Sequence, residues 1–252
     1  MEKASYQTNS FDHVGRNKDS SFFLRLAGFI TVAAFSGFIL HWVLNPESLG
    51  RISLWTAIHG ALSAFWYLLL LNQIKLSASN NYRLHAFWGK LSVAVVIAIL
   101  LSGAIMTLEF YERLAGFGVF SPDDAQARVR AGSFIGGAFL QWAIFVILYS
   151  LAILNISNPA YHKRFMIAAA IQMMPEGLNR LVHLLTLPGY SMFIIMFCIY
   201  SFIMFYDWKI YKRVHMATTF SLALFIALAI SMHTIFRWQA WGDWVTNMLS
   251  GI

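Results

Sequence analysis

The chain has 252 residues, of which 59% are hydrophobic and 12% charged, with a mean hydropathy of +0.62. About a quarter of a soluble domain is charged, so this composition excludes an ordinary water-soluble fold and points to an all-α integral membrane bundle. The net charge of +7 reports orientation first in a multi-pass chain, and no nucleic-acid motif accompanies it.

Residues 1–21 are polar and mixed in charge, and read as a cytoplasmic tail. No small-residue cleavage site follows the first apolar run, which therefore reads as an uncleaved signal anchor. Runs long enough for a hydrocarbon core of about 30 Å are Phe22–Leu44, Leu54–Leu76, Phe87–Leu108, Gly132–Asn155, Phe165–Leu187, Tyr190–Trp208 and Met216–Trp238. The expectation is a seven-helix transmembrane domain over residues 22–238, followed by an external tail over 239–252. Trp42, Trp55, Trp88, Trp208 and Trp238 fall near span ends, where an amphipathic ring suits the headgroup level. Counting Lys and Arg places twelve of the 18 in inner segments and six in outer ones, which predicts an inside N-terminus and an outside C-terminus.

The connection over residues 109–131 is the longest. Ser121-Pro122-Asp123-Asp124 reads as an N-cap, a first-turn proline and first-turn acids, predicting a short surface helix to about Arg130. Gly132 and Gly136, with Ser133 and Gly137 beside them, give the fourth span a small face for close packing. The single cysteine, Cys198, reads as a packing residue.

The fifth segment is unusual because Gln172, Glu176, Arg180 and His183 recur at helical spacing inside it. An ionisable group at the centre of a membrane helix costs on the order of 3 kcal/mol on insertion scales, so the stripe is expected to face the bundle interior. Pro175 and Gly177 flank Glu176, and a proline there kinks or breaks a helix.

Histidine placement adds to this. On the seven-span map His59, His183 and His233 lie at similar depth near the outer boundary, and imidazole suits haem iron, zinc and copper. Arg180 shares a helix face with His183, and Arg237 with His233. His85, His162 and His215 sit at inner helix starts among basic residues, in Arg83-Leu84-His85, His162-Lys163-Arg164 and Lys212-Arg213-Val214-His215. A basic collar attracting anionic lipid headgroups explains these equally well.

His85-Ala86-Phe87-Trp88-Gly89-Lys90 and His162-Lys163-Arg164-Phe165-Met166 resemble the helix-start motifs H-x-x-x-G and H-(K/R)-x-x-M of a group of uncharacterised bacterial multi-pass membrane proteins. Arg180 matches an arginine that follows about one helix-length on, and His59 a histidine of the preceding helix. More distantly, that group resembles membrane cytochromes of the cytochrome b561 kind, in which histidines on facing helices hold haem. The resemblance implies a bacterial inner membrane location and a haem site, with His85 and His162 among the cofactor-binding candidates.

Three readings follow. In the redox reading, two of His59, His183 and His233 hold b haem, Arg180 or Arg237 pairs with its propionates, and Glu176 serves protons or a quinone. In the hydrolase reading the same three histidines hold zinc, with Glu176 or Glu109 as general base. In the third, the polar stripe lines a solute path in a transporter or assembly factor. No nucleotide-binding domain is visible, so reductase chemistry requires a quinone or a partner redox protein. A retinal pump is excluded because the last span has no lysine for a Schiff base.

Overall fold

A computed structural model describes residues 16–116 and 121–249, and every element among them is helical. The first fifteen residues, including His13 and most of the polar tail, lie outside the described residues, as do 117–120 and 250–252. In chain order the long elements are α1 (Arg16–Leu44), α2 (Leu54–Ala78), α3 (Tyr82–Gly116) and α4 (Ala125–Leu154). They are followed by α5 (Pro159–Gln172), α6 (Pro175–Leu184), α7 (Ser191–Tyr211), α8 (Met216–His233) and α9 (Gln239–Leu249).

Six of these, α1, α2, α3, α4, α7 and α8, are long and apolar enough to cross a membrane. Leu101, Ile97, Phe202, Phe205, Val32 and Leu68 point outward along them, as lipid-facing positions should. Cys198 is exposed as well, so it is not the interior packing residue its span suggested.

The segment expected as one span over 165–187 is two helices of 14 and 10 residues, each too short to cross alone. Pro175 has no N–H to continue α5, and the chain tightens there: Met173 N–H donates to Ala170 O and Met174 N–H to Ile171 O, both three residues back. The new helix then opens with Pro175 in its first turn, where a missing donor does no harm.

Packing explains several glycines. A Cβ on Gly177 would lie 1.7 Å from Ala34 O, and one on Gly37 would lie 1.9 Å from Gly177 O. The α1 and α6 backbones therefore touch, and only glycine fits at both positions. The small face of α4 is used as expected, but its partner is the chain's C-terminal segment. A Cβ on Gly132 would meet Gly242 Cα at 2.9 Å, and Trp241 Nε1 donates to Gly132 O at 2.8 Å. Residues 239–249 of the expected C-terminal tail are thus the helix α9, docked on α4 with Val245 fully buried. Arg128 and Asp243 pair across this contact at 2.6 Å.

The short surface helix over 121–130 is absent as a separate element. Asp124, not Ser121, is the N-cap, its side chain accepting from Gln126 N–H at 2.8 Å, and α4 runs unbroken from there into the apolar span. Residues 125–131 have no breaker between them and the span, so nothing ends the helix.

Candidate functional site

The three outer histidines are placed on three helices and put to three different uses. His59, on α2, sets Nδ1 3.1 Å from Ile99 O and 3.3 Å from Ser102 Oγ, with its ring 6.4 Å from that of Trp142. Gly103 gives it room, since a Cβ there would fall 2.9 Å from His59 Cε1. His183 is exposed on α6. His233 rests edge-on against Phe193, 5.6 Å between centroids, and with Arg237 lines a cleft of about 710 Å³ that also exposes Arg130 and Asn179. Among the described residues no three His, Cys, Asp or Glu side chains are grouped to hold a metal ion. His59, His183 and His233 are therefore not grouped as a three-ligand metal site.

The polar stripe is divided. Gln172 is fully buried. Glu176 and Arg180 instead pair at 3.8 Å on the outside of α6, with 54% and 36% of their side chains exposed. Arg180 also donates to Glu176 O at 2.9 Å and lays its guanidinium over Phe38, 4.4 Å from the ring centre. The physical reason is the tight turn at Met173 and Met174, which breaks the helical register that put the four residues on one face. Glu109, the other expected base, accepts from Ser53 Oγ at 2.5 Å where α2 begins.

At the opposite end two histidines do meet. The His85 and His162 rings lie 6.2 Å apart, centre to centre, at an interplanar angle of 71°. Each is fixed the same way. His85 Nδ1 lies 3.2 Å from Gln73 O near the end of α2, and His162 Nδ1 lies 2.8 Å from Ala152 O near the end of α4. Each imidazole thus closes its own hairpin, α2–α3 or α4–α5, by donating Nδ1–H to a carbonyl of the preceding helix. That tautomer leaves both Nε2 atoms as lone-pair acceptors. Gln73 holds the first ring's backbone too, donating Nε2–H to His85 O at 2.9 Å. Gly89, one turn on, makes this fit, because a Cβ there would crowd Gln73 Nε2 at 3.2 Å. The H-x-x-x-G spacing therefore has a mechanical meaning: the glycine clears space for the amide that braces the histidine.

Beside this pair lies a buried ionic network that sequence reasoning missed. Arg164 and Asp207 form a bidentate pair with 2% and 0% of their side chains exposed. Asp207 also accepts from Thr218 Oγ1 at 2.8 Å and His215 N–H at 3.2 Å, so α5, α7 and α8 converge on one carboxylate. Asp19 of α1 accepts from Lys163 and from Tyr206 OH, the latter at 2.6 Å. Lys163 and Arg164, expected as part of a lipid-facing collar, are consumed by these acids. The available signal was Asp207 itself, an acid set between the aromatic residues that end an apolar run.

His215 caps α8, its Nδ1 accepting from Ala217 N–H at 3.1 Å, and meets Tyr161 edge-on at 4.5 Å. Burial, followed by the nearby Arg164 cation, pushes its imidazole down to about 4. A cap that must accept a hydrogen bond at a helix N-terminus has the same preference for the neutral ring.

Comparison with protein-family models, with curated proteins and with solved structures finds no match to this chain.

Proposed function

We propose that the chain is an integral membrane redox protein whose cofactor, b haem in the first instance, is held between His85 and His162. The observation that carries this reading is the pair of adjacent imidazoles, each oriented by a carbonyl on Nδ1 and each, among the described residues, with no hydrogen bond at Nε2. With ring centres 6.2 Å apart, His85 and His162 are near enough that both would hold one bound group through Nε2. Backbone carbonyls on the distal nitrogens are the usual way in which metal-binding histidines are oriented and made more basic.

The choice of haem follows from ligand number. Zinc needs three or four protein ligands, and no third His, Cys, Asp or Glu joins this pair among the described residues. A haem iron needs two, because the macrocycle supplies the rest, and it then provides one-electron transfer. Arg83 and Lys90 bracket His85 in sequence and, among the described residues, have no acidic partner within salt-bridge distance, so they are suited to carboxylate groups at the cofactor's edge.

In this reading α5 and α6 together make a seventh, broken crossing, the N-terminus is inside, and the centre lies at the inner edge of a bacterial cytoplasmic membrane. Electrons then pass to or from a quinone or a partner redox protein, since the chain carries no nucleotide-binding domain. The test is the visible spectrum of the purified protein after dithionite reduction. A Soret band with a sharp alpha peak is expected, and their absence from protein made in haem-replete cells overturns the haem assignment.

A further inference from the structure

The seam where α5 and α6 meet α7 and α8 contains polar groups in register, running from the ionic cluster beside the imidazole pair toward the other end of the bundle. Arg164, Ala168 and Gln172 follow one another at intervals of one turn on α5. Facing them are Asp207, Ile203 and Tyr200 of α7 and Thr218 and Ser221 of α8, with Phe225 of α8 packed on Tyr200. The antiparallel pairing of these two helices is fixed at both ends, by Thr218 Oγ1 on Asp207 at 2.8 Å and by the Tyr200 and Phe225 rings at 5.5 Å.

Three layers result. The innermost is the Arg164, Asp207 and Thr218 cluster. In the middle layer Ala168 and Ser221 are too small to fill the space, leaving a cavity of about 10 Å³ walled on its apolar side by Phe23 of α1 and Ile203 and lined otherwise by Arg164, Tyr200 and Thr218. That is the volume one water needs. In the third layer Gln172 and Tyr200 are 0% and 1% exposed; the amide and the phenol lie close enough to interact with each other but short of full hydrogen-bond geometry, and no other described protein group completes a bond to either. Buried polar atoms of native proteins are almost always satisfied by protein or water. Beyond this layer the seam is closed by Met174, Leu178, Met196 and Leu228, all at 2% exposure or less. By chain position these four lie between Gln172 and Tyr200 on one side and the His233 cleft, with Asn179, Met192, Met232 and His233, on the other.

We propose that this seam is an occluded proton path, hydrated from the inner ionic cluster to Gln172 and shut by the methionine and leucine plug below the His233 cleft. The cavity admits water and nothing larger, and the one carboxylate on the seam is neutralised by Arg164, so a dissolved cation has no seat in it. Protons instead pass along hydroxyls and water, one arriving at each oxygen as another leaves, with no net change in bonding. The break at Met173 to Pro175 sits beside the plug and supplies the backbone freedom that opening needs. Neither His85 nor His162 takes part in this path.

The experiment uses the full chain in liposomes loaded with a pH-sensitive dye, with a potassium and valinomycin potential driving proton entry. Polar substitution of the plug by Met196→Ser or Leu228→Ser is expected to raise proton flux about tenfold, with potassium and chloride flux unchanged. Adding Tyr200→Phe and Gln172→Leu to either plug variant is expected to return flux to the wild-type level. Two plug positions are used so that one misfolded variant, recognised by loss of its thermal transition, leaves the other to decide. Flux that stays at the wild-type level in a folded plug variant, a leak that persists after the Tyr200 and Gln172 changes, or equal passage of potassium each overturns the proposal.

Discussion

Asp207 shows how much rests on a single side chain here. It is fully buried and accepts hydrogen bonds from α5, α8 and the backbone at His215. Removing one partner of a buried pair leaves the other uncompensated and costs about 3–5 kcal/mol. Asp207→Leu should therefore lower the unfolding midpoint in detergent far more than Glu176→Leu, which removes a half-exposed partner worth at most about 1 kcal/mol. Equal losses would mean that the inner cluster is not the anchor of α5, α7 and α8. His215 adds a pH dependence of defined sign. Its folded value, about 4, lies below the ordinary 6.5, so the unfolded chain binds more protons between those values. Stability should fall as pH drops from 6.5 toward 4, and His215→Asn, which retains a capping oxygen, should flatten that part of a melting-temperature profile. Neither role was legible beforehand. Basic residues at a span end look alike in sequence whether they face headgroups or an acid from another helix, and what separates the two cases is the distant Asp19 or Asp207.

At the scale of elements, apolar run length located six spans well, because bilayer thickness sets it almost alone. The fifth segment was harder for a physical reason. Its polar positions have helical spacing only if the helix is continuous, and Pro175 interrupts it, so Gln172 turns inward while Glu176 and Arg180 turn out. Pro175 was visible; the resulting change of register was not. The close passage of α1 over α6 was equally hidden, since Gly37 and Gly177 have no motif linking them. Gly177→Ala should cost about 1–3 kcal/mol or more by overpacking, because its Cβ would meet the Ala34 carbonyl at 1.7 Å. Gly60→Ala, on the open side of α2 with nothing within 4 Å, should change stability by no more than about 1 kcal/mol. Reversed sensitivities in denaturant titrations would place α6 elsewhere. The inner histidine pair was half legible: the H-x-x-x-G and H-(K/R)-x-x-M spacings picked out both rings, but only the folded hairpins set them 6.2 Å apart.

For the molecule as a whole, two histidine-closed hairpins, α2–α3 and α4–α5, meet at the end of the bundle that also carries the ionic cluster, while the opposite end holds an open cleft. That polarity makes a sharp division between histidines. The most direct measurement is the haem content per chain of wild type, His162→Ala and His183→Ala, each purified from the same haem-replete cells. The account predicts about one haem per chain in wild type, retained in His183→Ala and lost in His162→Ala. Haem retained in His162→Ala, or lost only in His183→Ala, would contradict the inner centre.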